Sequence, residues 1–139
     1  NGNREVTGEA LEAMRNGGFP SPFLTYKQRG VVAALAGEEN VGGKPAYVIT
    51  LTPKSGPVAK VFIDRESSML VRTSTTLNVA PIGAIEQVSE FSDFRDVDGM
   101  KLPYATRTAN QMQTVVATLK DVKHDVDIDD SVFVRPPSP

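Results

Sequence analysis

The stretch KPAYVITLTPKSGPVAKVFID, residues 44–64, decides how the chain is to be read. Tyr47, Ile49 and Leu51 alternate with Ala46, Val48 and Thr50, a period of two that belongs to a strand. Pro53-Lys54-Ser55-Gly56 then supplies turn chemistry, and Val58–Asp64 resumes the β-rich pattern. Two such runs around a turn predict an antiparallel hairpin. In the second run Val61 and Ile63 point one way while Val58 and Phe62 point the other. Both faces of the sheet therefore need at least partial cover.

The same grammar extends outward in both directions. Val31–Glu39 is broken from Lys44–Thr52 by Asn40-Val41-Gly42-Gly43. Arg65-Glu66-Ser67-Ser68 leads into Met69–Val79, and Pro81-Ile82-Gly83 into Ala84–Arg95. Asp98-Gly99 precedes Lys101–Asn110, and Gln113–His124 closes the series. Turns about every ten residues between β-rich runs indicate an antiparallel meander and argue against βαβ units. Asp98-Gly99 is the strongest single cue, because a type I′ hairpin turn needs φ > 0 at both central positions. Ile85, Val88, Phe91 and Phe94 recur every third residue, a spacing that suits a helix. We read the segment as a bulged strand, since a bulge shifts the alternation.

The first thirty residues differ. Thr7 caps a helical pattern of Ala10, Leu11 and Met14 that stops at Asn16-Gly17-Gly18. Ser21 caps a second start with Pro22 at the first helical position. Phe19, Phe23 and Leu24 crowd this short segment, which predicts that it docks on something. The expected organisation is one domain over 1–139: a helical lead-in (1–30), a sheet (31–124) and a tail with a short turn (125–139). The expected fold is mainly β (α+β), a curved antiparallel meander forming a half-barrel or open barrel, with one or two short N-terminal helices. Two short helices cannot cover both sheet faces. The second face then falls to further sequence, to a partner or to a bound apolar ligand.

Bulk composition excludes several functions. Of 139 residues, 40% are hydrophobic and 23% charged, and the net charge is −2, ordinary for a globular chain. Lysine and arginine form no cluster, which argues against nucleic acid and against anionic membrane surfaces as partners. With no cysteine, disulfides and thiolate chemistry drop out. No run approaches the ~20 apolar residues of a membrane span. Because the chain begins at Asn1, we expect a processed or excised form.

Four segments, in order, resemble the lipoprotein-sorting, LolA-like domains of bacteria. They are Gly37–Ile49, Lys60–Glu66, Phe91–Tyr104 (FSDFRDVDGMKLPY) and Ile128–Phe133 followed by Pro136, together spanning about 31 to 136. The resemblance implies a curved antiparallel sheet wrapped on helices. In the carrier members its concave side holds acyl chains of lipoproteins, and some relatives are attached to exported peptidases. It implies a periplasmic or extracellular location in a bacterium. Family members carry an N-terminal helix and further strands before the matching segment, so the chain looks like the C-terminal portion of such a fold. No catalytic residue is carried over, since the family is not enzymatic.

The residues themselves support no enzyme. His124, the one histidine, lacks a Gly-x-Ser-x-Gly elbow and lies between charged neighbours at a strand end. Asp125, Asp127 and Asp129 alternate like a calcium loop, but its sixth and twelfth positions fall on Asp130 and Pro136 in place of Gly and Glu. We read Asp129 as the cap of a short turn, and Asp96 and Asp98 as turn residues. No cofactor or metal is expected. The leading expectation is a non-catalytic, exported binding domain whose apolar face takes a lipid or acylated protein. Alternation nominates Tyr47, Ile49, Leu51, Val61, Ile63, Val71 and Leu77 as its lining. The competing expectation is a structural or accessory domain, for example of a peptidase. It would need no small ligand and could dimerise through an open sheet edge or its apolar face.

Overall fold

The computed structural model describes residues 6–8, 11, 22–79 and 81–134. Its strands are β1 (Val32–Val41), β2 (Lys44–Thr52), β3 (Ala59–Asp64), β4 (Leu70–Val79), β5 (Gly83–Val97), β6 (Met100–Ala109) and β7 (Thr114–Thr118). They form one seven-stranded antiparallel sheet in sequence order. Every connection is thus a local hairpin, and among the described residues β1 and β7 are free edges. The meander is open, as the turn-punctuated sequence predicts. Helix is minimal among the described residues: α1 (Pro22–Thr25) begins at the proline, as expected. The earlier helical pattern around Ala10 and Met14 lies outside the described residues.

Turn chemistry sets the hairpins. Gly42-Gly43 (φ 59° and 82°) joins β1 to β2, and Asp98-Gly99 (φ 52° and 81°) joins β5 to β6. Positive φ at both central residues is the type I′ condition, whose twist matches that of the strands. Asp96 Oδ1 accepts the Gly99 N–H at 3.0 Å. Between β3 and β4, Asp64 accepts both the Ser67 N–H (2.7 Å) and its hydroxyl (2.6 Å). Those bonds hold its carboxyl below the ordinary range, because they stabilise the charged form.

Two register shifts bend the sheet. One lies between Leu35 and Gly37 in β1, and the other sets Phe62 and Ile63 opposite Arg72 and Leu70, leaving Val71 as the extra residue. Cα atoms of β1 and β3 come within 8 Å of each other, although strands two apart in a flat sheet lie about 9.5 Å apart. The sheet curls around β2. The period-three segment is indeed a strand, but it carries no register shift: β5 pairs with β6 in one register from Val88 to Val97. The irregularity is Asp93, at φ 52°, just before the Phe94–Pro103 pair, where proline removes a donor from the ladder. A spacing of three in a strand alternates faces, so Ile85 and Phe91 lie on one side and Val88 and Phe94 on the other.

Two other expectations need correction. The final run is a strand only over Thr114–Thr118. The threonine- and valine-rich segment ends where Lys120, Asp121 and Lys123 bring residues disfavoured in strands. Phe23 and Leu24 do not bury themselves: Leu24 is 80% exposed, because a four-residue helix has too little surface to seat both.

Packing is concentrated in β2 and β3. Ala46, Val48 and Phe62 form a buried cluster with Val41 and Val71 against it. Val61, Ile85 and Tyr104 complete the buried hydrophobic set.

Candidate functional site

Residues directly opposite in an antiparallel ladder share a face, so the registers sort every strand residue. One face carries Tyr47, Ile49 and Leu51 of β2 opposite Ile63, Val61 and Ala59 of β3. β4 adds Leu70 beside Ile63, then Thr73 and Thr75. Leu77 pairs with Ile85 of β5 at the far end of β4. Five of the seven nominated residues, Tyr47, Ile49, Leu51, Val61 and Ile63, thus form one contiguous apolar block on β2 and β3. Leu77 shares the face but sits apart, next to Ile85.

Val71 is the exception. As the extra residue at the β3–β4 shift it packs with Ala46, Val48 and Phe62 on the opposite side. The bulge exchanges it for Leu70, which strict alternation could not anticipate. Ile85 and Tyr104, 5% and 7% exposed, also belong to the apolar face and were missed. The signal for both was present, because each follows from extending the alternation across the β4–β5 and β5–β6 hairpins.

Burial within the block is graded. Val61 is 3% exposed and Tyr47 37%, while Ile49, Leu51 and Ile63 are half-buried. Tyr47 forms the rim. Arg65 lies over its ring with the guanidinium carbon 5.4 Å from the centroid and reaches Glu38 at 3.0 Å. Glu38 makes the guanidinium more basic still. Toward β5 and β6 the face turns hydroxylic, with Ser89 and Thr108 hydrogen-bonded at 2.9 Å. At its lower end Arg95 stacks on Tyr104 at 4.3 Å and pairs with Asp93 at 2.6 Å.

The opposite face has another chemistry. Beyond the Ala46–Val48–Phe62 cluster it becomes a charged ladder. Arg72 covers the Phe62 ring (5.5 Å) and donates to Glu90 at 2.7 Å, and Glu90 also faces Arg107 at 3.7 Å. Ser74 donates to Glu86 at 2.6 Å. A shallow groove runs between Val58, Lys60, Ser74, Thr76 and Glu86. Arg72, Glu90 and Arg107 pair within the sheet.

The polar candidates are structural in their contacts. His124 Nδ1 lies 2.9 Å from Asp98 Oδ2 and ties the tail to the β5–β6 turn. Asp129 caps the 3-10 turn Asp130–Phe133, accepting the Ser131 N–H at 2.8 Å, as its sequence position suggested. That bond keeps its carboxyl below the ordinary range. Among the described residues no group of three or more His, Asp or Glu side chains could hold a metal ion. No described helix is long and apolar enough to cross a membrane.

No protein-family model and no curated protein matches this chain. Among solved structures it is similar to a LolA superfamily protein from Nitrosomonas europaea, with a TM-score of 0.50 and 14% sequence identity. The likeness covers 76% of this chain and 49% of that protein, so the chain spans about half its length. At this identity the comparison establishes a distant relation of fold, the one that the four segments resemble.

Proposed function

We propose that this chain is a non-catalytic binding domain of an exported bacterial protein, and that its apolar sheet face takes an acyl chain of a lipid or acylated protein. The observation that carries the reading is the contiguous block Tyr47, Ile49, Leu51, Val61 and Ile63 on one face of a curled sheet. Curvature and an apolar lining with a polar rim are what a hydrocarbon chain needs from a sheet. The rim is the Glu38–Arg65 pair beside Tyr47. The distant likeness to a LolA superfamily fold supports the same reading.

Native mass spectrometry of the purified chain, followed by titration with fatty acids of several lengths, tests it. The expected result is a bound acyl chain that Ile49→Asp or Ile63→Asp abolishes while the far-ultraviolet spectrum stays β-type. A chain that neither carries nor takes up any fatty acid overturns the proposal. A second reading is favoured by the half-length coverage of the related fold. In it the face packs against another part of a larger protein, and the same titration stays flat.

A further inference from the structure

The two edges of the sheet are guarded unequally. An edge strand offers unpaired N–H and C=O groups to any other strand, and proteins blunt it with charges, prolines or bulges. β1 carries a bulge after Leu35 and the adjacent glutamates Glu38 and Glu39. β7 has none of these: it reads Thr-Val-Val-Ala-Thr, and every residue is exposed, Val115 by 51% and Val116 by 67%. Among the described residues no strand pairs with its outer side.

Hydrogen bonding identifies the free groups. Asn110 N–H donates to Gln113 O at 3.0 Å and Leu119 N–H to Tyr104 O at 2.8 Å. The backbone groups of Gln113 and Leu119 therefore point toward β6, and alternation turns those of Val115 and Ala117 the same way. Thr114, Val116 and Thr118 present theirs outward. We infer that β7 is a self-association edge, pairing antiparallel with β7 of a second copy about a two-fold axis at Val116. This register uses all three outward residues: Val116 meets its own copy and Thr114 meets Thr118, both in hydrogen-bonded positions. Centring the axis one residue either way leaves an outward threonine paired beyond the strand. Like residues face each other with no charge opposed, as an isologous interface requires.

Val115 and Ala117 lie on the apolar face (opposite Thr108 and Thr106) and Val116 on the charged face (opposite Arg107). The two-fold thus continues each face into its counterpart. The inference stands apart from acyl binding.

Because the chain has no cysteine, single cysteines report the register. Across a hydrogen-bonded antiparallel pair the Cα atoms lie about 5.5 Å apart, within disulfide reach. Mild oxidation of Val116→Cys should give a covalent dimer. Thr114→Cys and Thr118→Cys should each form no covalent dimer alone and cross-link when mixed. By sedimentation equilibrium the unmodified chain should dimerise, and Val116→Lys, which sets lysine against lysine at the axis, should weaken the dimer at least about tenfold. An unchanged far-ultraviolet spectrum in each variant shows that the sheet is intact. A chain that is monomeric up to roughly 300 µM, a dimer indifferent to Val116→Lys, or a Val116→Cys variant whose thiol stays free on oxidation would overturn the inference. None of these readouts involves a lipid.

Discussion

The β2–β3 hairpin and the β6–β7 hairpin are both read as strand pairs from the sequence and end in opposite states. Lys44–Thr52 and Ala59–Asp64 hold five of the buried residues, Ala46, Val48, Val61, Phe62 and Asp64. Met100–Ala109 and Thr114–Thr118 hold only Tyr104. Both pairs read as strands, although β2 and β3 carry more large apolar residues and β6 carries Lys101, Pro103 and Arg107. Position contributes: β2 and β3 lie where the sheet curls, so their side chains meet neighbours from several strands, whereas β6, though flanked on both sides, lies away from that curl. β7 has one neighbour, and its valines meet water on both faces. The lesson is that the strand pattern specifies an element, whereas burial is a property of where that element sits in the ladder.

Substitutions can break that contrast or sharpen it. The largest effect is expected at Phe62, whose truncation to alanine should lower unfolding free energy by about 3–5 kcal/mol, measured by urea titration. A loss under about 1 kcal/mol would mean that the Ala46–Val48–Phe62 cluster is not the core. Next comes Ile85→Ala, which probes the opposite face and should cost about 2–4 kcal/mol. If it proved neutral, the apolar face would be open at that end.

Asp64 should show a smaller, pH-dependent effect. Its carboxyl is held below the ordinary value by the Ser67 hydroxyl first and the Ser67 N–H second. A depressed folded-state pKa adds stability that is fully present above about pH 4 and is lost as pH falls through the folded value. Thermal melts of Asp64→Asn should therefore fall by a few degrees at pH 7 and converge on the unsubstituted chain toward pH 2. A constant gap across that window would show that the turn bonds do not depend on the charge. Smallest of all, Val116→Thr should shift stability by no more than about 0.5 kcal/mol in the monomer. A larger loss would place β7 in a packed environment and remove the asymmetry.

Much of the fold was legible. Lys44–Thr52 has the same limits in sequence and structure, because alternation and the flanking turns agree. Asp98-Gly99 and Asp129 were readable for a local reason: their side chains and backbones bond within a few residues. The site was legible only in part. Alternation placed Tyr47, Ile49, Leu51, Val61 and Ile63 together, but Val71 went to the other face, since a bulge reverses the phase without a compositional mark. The reach of β7 was overestimated because β-branched residues continue to Val122 after partner pairing has ended.

The amino-acid sequence alone determined an antiparallel meander with its hairpin turns, since period-two alternation and positive-φ turn chemistry act over a handful of residues. Only the tertiary structure decided which face each side chain joins beyond a bulge, where the sheet curls, and which edge is left bare. Those features depend on the register between strands, which is set by pairing partners up to about twenty residues away and leaves no local trace in the chain.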